Sequence, residues 1–250
     1  MSATLALTLS SSRAYLRDKA SLFFTFAFPL AFLVLFGAIY QDELVAGDRP
    51  YIQYIAAGVL SWGVANAAVF GTAFTLMQWR RDDLLRLIRL TPTSLPSVLG
   101  ARLLVTLAIA ACQVGLFLAV AMLPTFGLRP SGSSLLLGPV LVAAVVAFLV
   151  VGGLIGCYTD TPESTAAIAN FVMVPMAFLS GSFIPLESMP ENLQRVSRIL
   201  PLRYVNDAVL ASLSGRDALH VTWVSGVVLL GFALAGAVLL LRVFRWSVRS

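Results

Sequence analysis

Charge is scarce in this 250-residue chain: Asp, Glu, Lys and Arg together make up 12% of it, while 59% is hydrophobic and the mean hydropathy is +0.90. Soluble domains carry about 25% charged residues. Lysine is nearly missing, with Lys19 alone among sixteen arginines. Without a G-x-x-x-x-G-K-[ST] segment around that lysine, the chain does not bind nucleotide through a P-loop. His220 is the single histidine, which argues against a zinc site or a Ser-His-Asp triad. Cys112 and Cys157 make neither a disulfide framework nor a metal spacing and read as small apolar packing residues. No metal is expected on this chain.

The charge that exists is placed with regularity. Ala20–Gln41, Pro50–Trp79, Leu103–Leu128, Pro130–Thr159, Ser164–Leu186 and Ala218–Leu241 contain no Asp, Glu, Lys or Arg. A hydrocarbon layer of ~30 Å needs about 20 apolar residues in a helix. An Arg or Asp at mid-span would cost roughly 2.5–3.5 kcal/mol on the insertion scale. The pattern predicts an all-α membrane protein, a single transmembrane domain over 1–250, with spans near 21–41, 52–79, 100–123, 135–157, 164–183 and 220–241. Leu22–Tyr40 is too long for the apolar core of a signal peptide and reads as a retained first helix. The stretch before Ala20 reads as an interfacial helix.

The net charge of +5 is distributed between the spans and is no argument for nucleic acid. An N-in, C-in arrangement puts eleven basic residues inside and six outside. The connection holding Asp160 and Glu163 would then be cytoplasmic, yet it has no basic residue of its own.

Two connections have internal pattern. In 82–90, Asp82 or Asp83 is placed to cap a short helix, and Leu84, Leu87 and Ile88 share one face before Thr91-Pro92 stops it. In 184–215, Ser188 and Pro190 precede a stripe of Leu193, Val196 and Leu200. Pro201 breaks that stripe, Tyr204, Val205, Ala208 and Val209 form another, and Gly215 ends it. This predicts two small amphipathic helices at the outer surface or in the outer leaflet.

Inside the spans only mild polarity remains. Asn66, Gln113 and Asn170 serve either as interhelical contacts or as polar groups in a translocation cavity. Pro29 and Pro175 are expected to kink their helices. Glycines in the second, fourth and sixth spans permit close helix approach. Intramembrane proteolysis and ion-coupled transport are disfavoured, since no Asp or Glu falls within a span.

Two segments carry a resemblance. Arg80–Arg102 reads RRDDLLRLIRLTPTSLPSVLGAR, with Leu85, Thr91, Pro92, Ser94 and Gly100 at family positions; Asp83, Leu84, Arg86 and Ala101 depart from them. Phe178–Leu210 reads FLSGSFIPLESMPENLQRVSRILPLRYVNDAVL, with Ser180, Gly181, Phe183, Pro185, Leu186, Pro190, Leu200, Pro201 and Tyr204 matching. The chain thereby resembles the ABC-2 type transporter permeases, including the daunorubicin-resistance exporters. The resemblance implies a bacterial inner-membrane half-transporter that pairs with a second permease. It also implies a separate ABC ATP-binding subunit holding ATP and Mg, with no enzymatic chemistry on this chain. It places Arg80, Arg81, Asp82, Asp83, Leu84, Leu87, Ile88, Thr91 and Pro92 at the coupling surface. Pro185, Pro190, Pro201 and Tyr204 belong to the outer segment. A lipophilic substrate would pass near spans one, two and five, where Phe28, Asn66, Phe70, Asn170, Phe171, Pro175 and Phe178 are the candidates. Export of a lipid or polysaccharide carrier, and a non-transporting membrane assembly or sensor protein, are the alternatives.

Overall fold

In the computed structural model the described residues are 19–40, 44–45, 49–84 and 95–244. The N-terminal stretch before Lys19 and the segment bearing Leu87, Ile88, Thr91 and Pro92 lie outside them. In hydrocarbon every backbone N–H and C=O must be satisfied within the protein, so charge-free runs of this length become helices. The elements are α1 (Lys19–Leu22), a π-helical turn (Phe23–Ala27), α2 (Phe28–Ile39), α3 (Tyr51–Arg81), α4 (Leu95–Ala121), α5 (Leu137–Tyr158), α6 (Pro162–Leu179), α7 (Glu191–Ser197), α8 (Pro201–Ser214) and α9 (Ala218–Val243). Short 3-10 turns at Gly132–Leu136 and Leu186–Ser188 precede α5 and α7. The all-α expectation needs one small amendment, an antiparallel pairing of Leu44–Val45 with Arg49–Pro50 ahead of α3.

Among the described residues five helices are long and apolar enough to cross a membrane: α3, α4 from Gly100, α5 with its leading 3-10 turn, α6 and α9. The first expected span is shorter, an apolar run over Phe23–Ile39. Its geometry follows from Pro29. A proline has no N–H, so the carbonyl four residues back loses its helical partner. That carbonyl belongs to Thr25, and Gln113 of α4 donates to it through Nε2 at 3.0 Å. Immediately before the proline the chain widens into the π turn, where the Phe28 N–H reaches the Phe23 carbonyl. Gly63 on α3 sits against both Gln113 and Pro29, where a methyl group would crowd the amide.

α3 and α5 form the centre and are mostly buried; α4, α6 and α9 are buried over a third of their length or less. The α3–α5 contact is the most extensive in the molecule. It is backbone-close because a Cβ on Gly152 would overlap the Val69 carbonyl, and one on Gly156 would lie 2.7 Å from the Ala73 carbonyl. By contrast, Gly226 and Gly231 on α9 have open space beside them. Around this centre pack Leu33, Ile55, Leu60, Phe117, Phe148, Met173 and Leu202, all almost fully buried.

The outer segment departs from the simple surface-helix expectation. α8 is tucked against α3 and α9, burying Leu202, Val205, Ala208, Val209 and Leu213. Gly215, left-handed at φ 76°, closes it as the sequence suggests. α7 begins at the Pro190 cap without a side-chain capping bond. The α7 stripe also faces outward. Leu193 and Val196 are exposed, because the helix is held from its polar side. Arg203 donates to Ser197 Oγ at 2.6 Å and to the Gln194 carbonyl at 3.3 Å.

A bulky residue at position 152 must push α3 and α5 apart. Gly152→Val is expected to lower the thermal midpoint in detergent sharply, by overpacking worth about 1–3 kcal/mol, whereas Gly231→Ala leaves it unchanged.

Candidate substrate path and coupling end

Phe24, Phe28, Phe32, Phe36 and Tyr40 recur every fourth residue, so they line one face of the first helical run. Successive rings stand 5.8, 5.0, 5.8 and 6.3 Å apart. Trp62 of α3 meets this stripe, 6.1 Å from Phe28 and 6.2 Å from Phe32. Phe183, just beyond α6, completes the corner at 5.4 Å from Trp62, and Phe178 lies 5.6 Å from Phe183. Ring pairs at these separations contribute about 0.5–1.5 kcal/mol each beyond simple burial. Phe23, Phe24 and Phe178 remain exposed, so the aromatic lane opens to the outside of the subunit.

Polar atoms without partners sit beside the lane. Trp62 Nε1 is a buried donor and Asn66 Oδ1 a buried acceptor, and neither has a hydrogen-bond partner. They are one helical turn apart on α3, so they share a face. Phe70 continues that face and stacks at 6.2 Å on Phe74. Greasy walls with one orphan donor and one orphan acceptor suit a lipophilic molecule bearing a few polar groups.

The sequence candidates thus divide. Phe28, Asn66, Phe70 and Phe178 belong to or flank the lane. Asn170 and Phe171 are on the exposed face of α6, and Asn170 Nδ2 donates to its own helix at the Ala166 carbonyl, 3.0 Å away. Pro175 is also exposed, and α6 runs through it to Leu179 without ending. Sequence reading missed Trp62, Phe32, Phe183 and the repair by Gln113. The four-residue spacing of the phenylalanines was the available signal.

At the opposite end of α3 the surprise is Arg80. It was grouped with the coupling surface, but its side chain turns inward and is only 3% exposed. Nη1 donates to the carbonyls of Gly156 (2.9 Å) and Thr159 (3.2 Å), and Nη2 to Asp160 Oδ1 (3.1 Å). A cation on the last carbonyls of α5 also complements the negative end of that helix. Arg80 therefore supplies the positive charge that the α5–α6 connection lacks in its own sequence. Thr165 Oγ1 donates to Thr159 Oγ1 at 2.8 Å, and Thr161 and Ser164 form a capping box at the start of α6. Arg81 and Asp82, 3.6 Å apart, are both exposed, as is Asp83. Leu84, read from the sequence as part of one apolar face with Leu87 and Ile88, is half-buried against the cluster of Leu76, Val150, Cys157 and Leu240. Asp83 adopts a left-handed turn at φ 52°, a conformation that aspartate tolerates.

At the end of α3 remote from Arg80, Pro185 and Pro190 cap the 3-10 turn and α7, and Pro201 occupies the first turn of α8. Tyr204 Oη donates to the Arg198 carbonyl at 2.7 Å. The Ser180-Gly181 pair forms the hub. Gly181 is left-handed at φ 82° and its carbonyl accepts from Tyr54 Oη. Asn206 Nδ2 donates to the Ser180 carbonyl at 3.0 Å and to Ser182 Oγ at 2.9 Å. Gly58 lets the Ser182 backbone pass where any Cβ would collide with it. Asn206 was not singled out from sequence, because nothing local distinguishes it from a surface asparagine.

Five long apolar helices with polar locks at their ends define a multi-pass membrane protein. The ABC-2 type transporter model matches residues 2–213, and the chain belongs to that family. It is 25% identical over 98% of its length to the daunorubicin resistance ABC transporter permease protein DrrB1 of Streptomyces coeruleorubidus, covering 87% of that protein. It is 26% identical over 81% of its length to nodulation protein J of Rhizobium meliloti, covering 77% of that protein. Membership implies a permease component that works with an ATP-binding partner.

Removing the Arg80 guanidinium leaves the carbonyls of Gly156 and Thr159 without this donor. Arg80→Met is expected to destabilise the purified protein by about 2–4 kcal/mol, since buried polar groups lose their partner. Asp160→Asn is expected to cost less than about 1 kcal/mol, because Asp160 is exposed to solvent. Denaturant unfolding in micelles measures both.

Proposed function

We propose that this chain is the permease subunit of an ATP-driven exporter in the bacterial inner membrane. Its six spans make one transmembrane unit with both termini cytoplasmic. Two permeases, identical or related, enclose the path for a lipophilic small molecule or drug. A separate ATP-binding subunit holds ATP and Mg and docks beneath Arg81, Asp82, Asp83 and the following segment with Leu87, Ile88, Thr91 and Pro92. Arg80 does not touch that subunit; it passes displacement of the docking segment to α5 and α6. The aromatic lane of Phe28, Phe32, Trp62 and Phe183, with the orphan Trp62 Nε1 and Asn66 Oδ1 beside it, is the observation that carries the reading. The exposed α6 face with Asn170, Phe171 and Pro175 is assigned to the contact with the second permease.

The second reading is a lipid or polysaccharide carrier as cargo. In its favour, the relatives named nodulation protein J match about as well as the daunorubicin resistance permease. The scarcity of polar groups along the lane favours the smaller, greasier cargo. A membrane assembly or sensor role would leave the docking segment without an ATPase to serve.

Co-purification of a P-loop ATPase whose turnover rises with lipophilic cargo tests the class; persistent purification without one contradicts it. Within such a complex, Leu87→Asp is expected to abolish transport while membrane insertion persists. Trp62→Ala is expected to raise the KM for aromatic cargo about tenfold, the equivalent of ~1.4 kcal/mol of ring contact.

A further inference from the structure

The first helical run is packed at one end only. In α2, Pro29, Leu33 and Gly37 recur every fourth residue and are buried, and Gly37 meets Ile52 of α3. In the π turn, Phe23–Ala27, no residue is buried, and the Phe23 and Phe24 rings stand exposed. The backbone ladder is interrupted where the two parts meet. Pro29 offers no N–H, and the Phe28 N–H reaches back five residues to the Phe23 carbonyl. Helices bend at prolines and at π turns. A stretch with few buried contacts is also the first to move.

One side chain crosses this joint from another helix. Gln113 of α4 is 3% exposed, and its Nε2 donates to the Thr25 carbonyl inside the π turn at 3.0 Å. The amide orientation is forced, because a carbonyl can only accept. Gln113 Oε1 is buried and makes no hydrogen bond, so the amide grips the turn through Nε2 alone. Elsewhere the run packs on α3 and touches α4 little. Gly63 of α3 leaves just enough room for the grip: a Cβ there would lie 2.5 Å from Gln113 Nε2 and 3.4 Å from the Pro29 ring.

The joint also divides the aromatic lane. Phe24 lies before it, 5.8 Å from Phe28. Phe28 and Phe32 lie after the π turn and are seated against Trp62.

We infer that Phe23–Pro29 is a hinge and that Gln113 is its latch. With the Gln113–Thr25 bond made, Phe24 continues the stripe of rings. With it broken, Lys19–Ala27 swings about Pro29, and Phe24 leaves the stripe while Phe28, Phe32 and Trp62 stay in place. The exposed end of the lane thereby opens and closes, and a shift of α4 is felt there through Gln113. The inference rests on the lane as a surface and stands whether or not cargo passes along it.

Electron–electron distance measurements on the full chain in lipid nanodiscs test it. Spin labels are placed by Lys19→Cys and Tyr158→Cys, with Ile39→Cys and Tyr158→Cys as the control pair, in a background with Cys112 and Cys157 replaced by alanine. Excess unlabelled chain suppresses distances between copies. Gln113→Leu removes the latch. Gly63→Ala dislodges it without touching Gln113, and folds because only the end of a flexible side chain must give way. Both are expected to broaden the 19–158 distribution about twofold and to leave the 39–158 distribution unchanged. Pro29→Ala restores an N–H to the ladder, so adding Gln113→Leu to it should produce no broadening. Equal broadening of both label pairs, no broadening of 19–158 in either variant, or undiminished broadening in the Pro29→Ala, Gln113→Leu double variant overturns the hinge and latch.

Discussion

A helix in hydrocarbon has no water to repair a missing hydrogen bond, and the architecture is organised by that constraint. Pro29 breaks the backbone ladder of the first helical run, and the chain restores it twice over. The π turn re-registers Phe28 onto Phe23, and Gln113 reaches across from α4 to the Thr25 carbonyl. Further along α3 the terminal carbonyls of α5 face the same difficulty, and Arg80 reaches them from α3. Each repair is a long-range tie, so each also fixes how neighbouring helices stand. Most other polar residues left in the spans turn back on their own helix: Ser61, Thr75, Thr106 and Asn170 each donate to the carbonyl four residues earlier. Trp62 Nε1 and Asn66 Oδ1 remain unpaired beside the aromatic lane.

Close backbone contact gives the bundle its rigid centre. Gly152 and Gly156 bring α5 onto the carbonyls of α3, and Gly58 does the same for α3 and the Ser182 backbone. α3 therefore touches nearly every functional feature: the aromatic corner through Trp62, the outer hub through Tyr54 and Gly58, and the polar lock through Arg80. At 31 residues it spans about 46 Å at 1.5 Å per residue, enough to join the two surfaces of a bilayer. Arg80 ties the end of α3 to the last turn of α5 and to Asp160 of the α5–α6 connection.

Much of the architecture was legible in the sequence because its causes are local. Charge exclusion marks α3, α4, α5, α6 and α9, Pro201 and Gly215 punctuate α8, and the glycines of α3 and Gly152 and Gly156 of α5 announce close packing. What was not legible depends on partners far along the chain. The role of Arg80 rests on Gly156, 76 residues away, and that of Gln113 on Thr25, 88 residues away. A sequence shows that Asn66, Asn170 and Asn206 are polar but not how each is satisfied. Asn170 turns back on its own helix, Asn66 keeps an unpaired acceptor, and Asn206 holds the outer hub together. Leu193 and Val196 show the same limit. Their spacing revealed an apolar stripe, while the polar anchoring of α7 by Ser197 and Arg203 decided which way it faces.

The central claim is that α3 carries its Arg80 lock to the cytoplasmic surface and its Tyr54 hub to the outer one. Single cysteines introduced as Glu163→Cys and Glu187→Cys, in a background with Cys112 and Cys157 replaced by alanine, test it directly. A membrane-impermeant thiol reagent applied to intact cells should label position 187 at once and position 163 only after permeabilisation. Labelling of both positions from the same side would contradict the account.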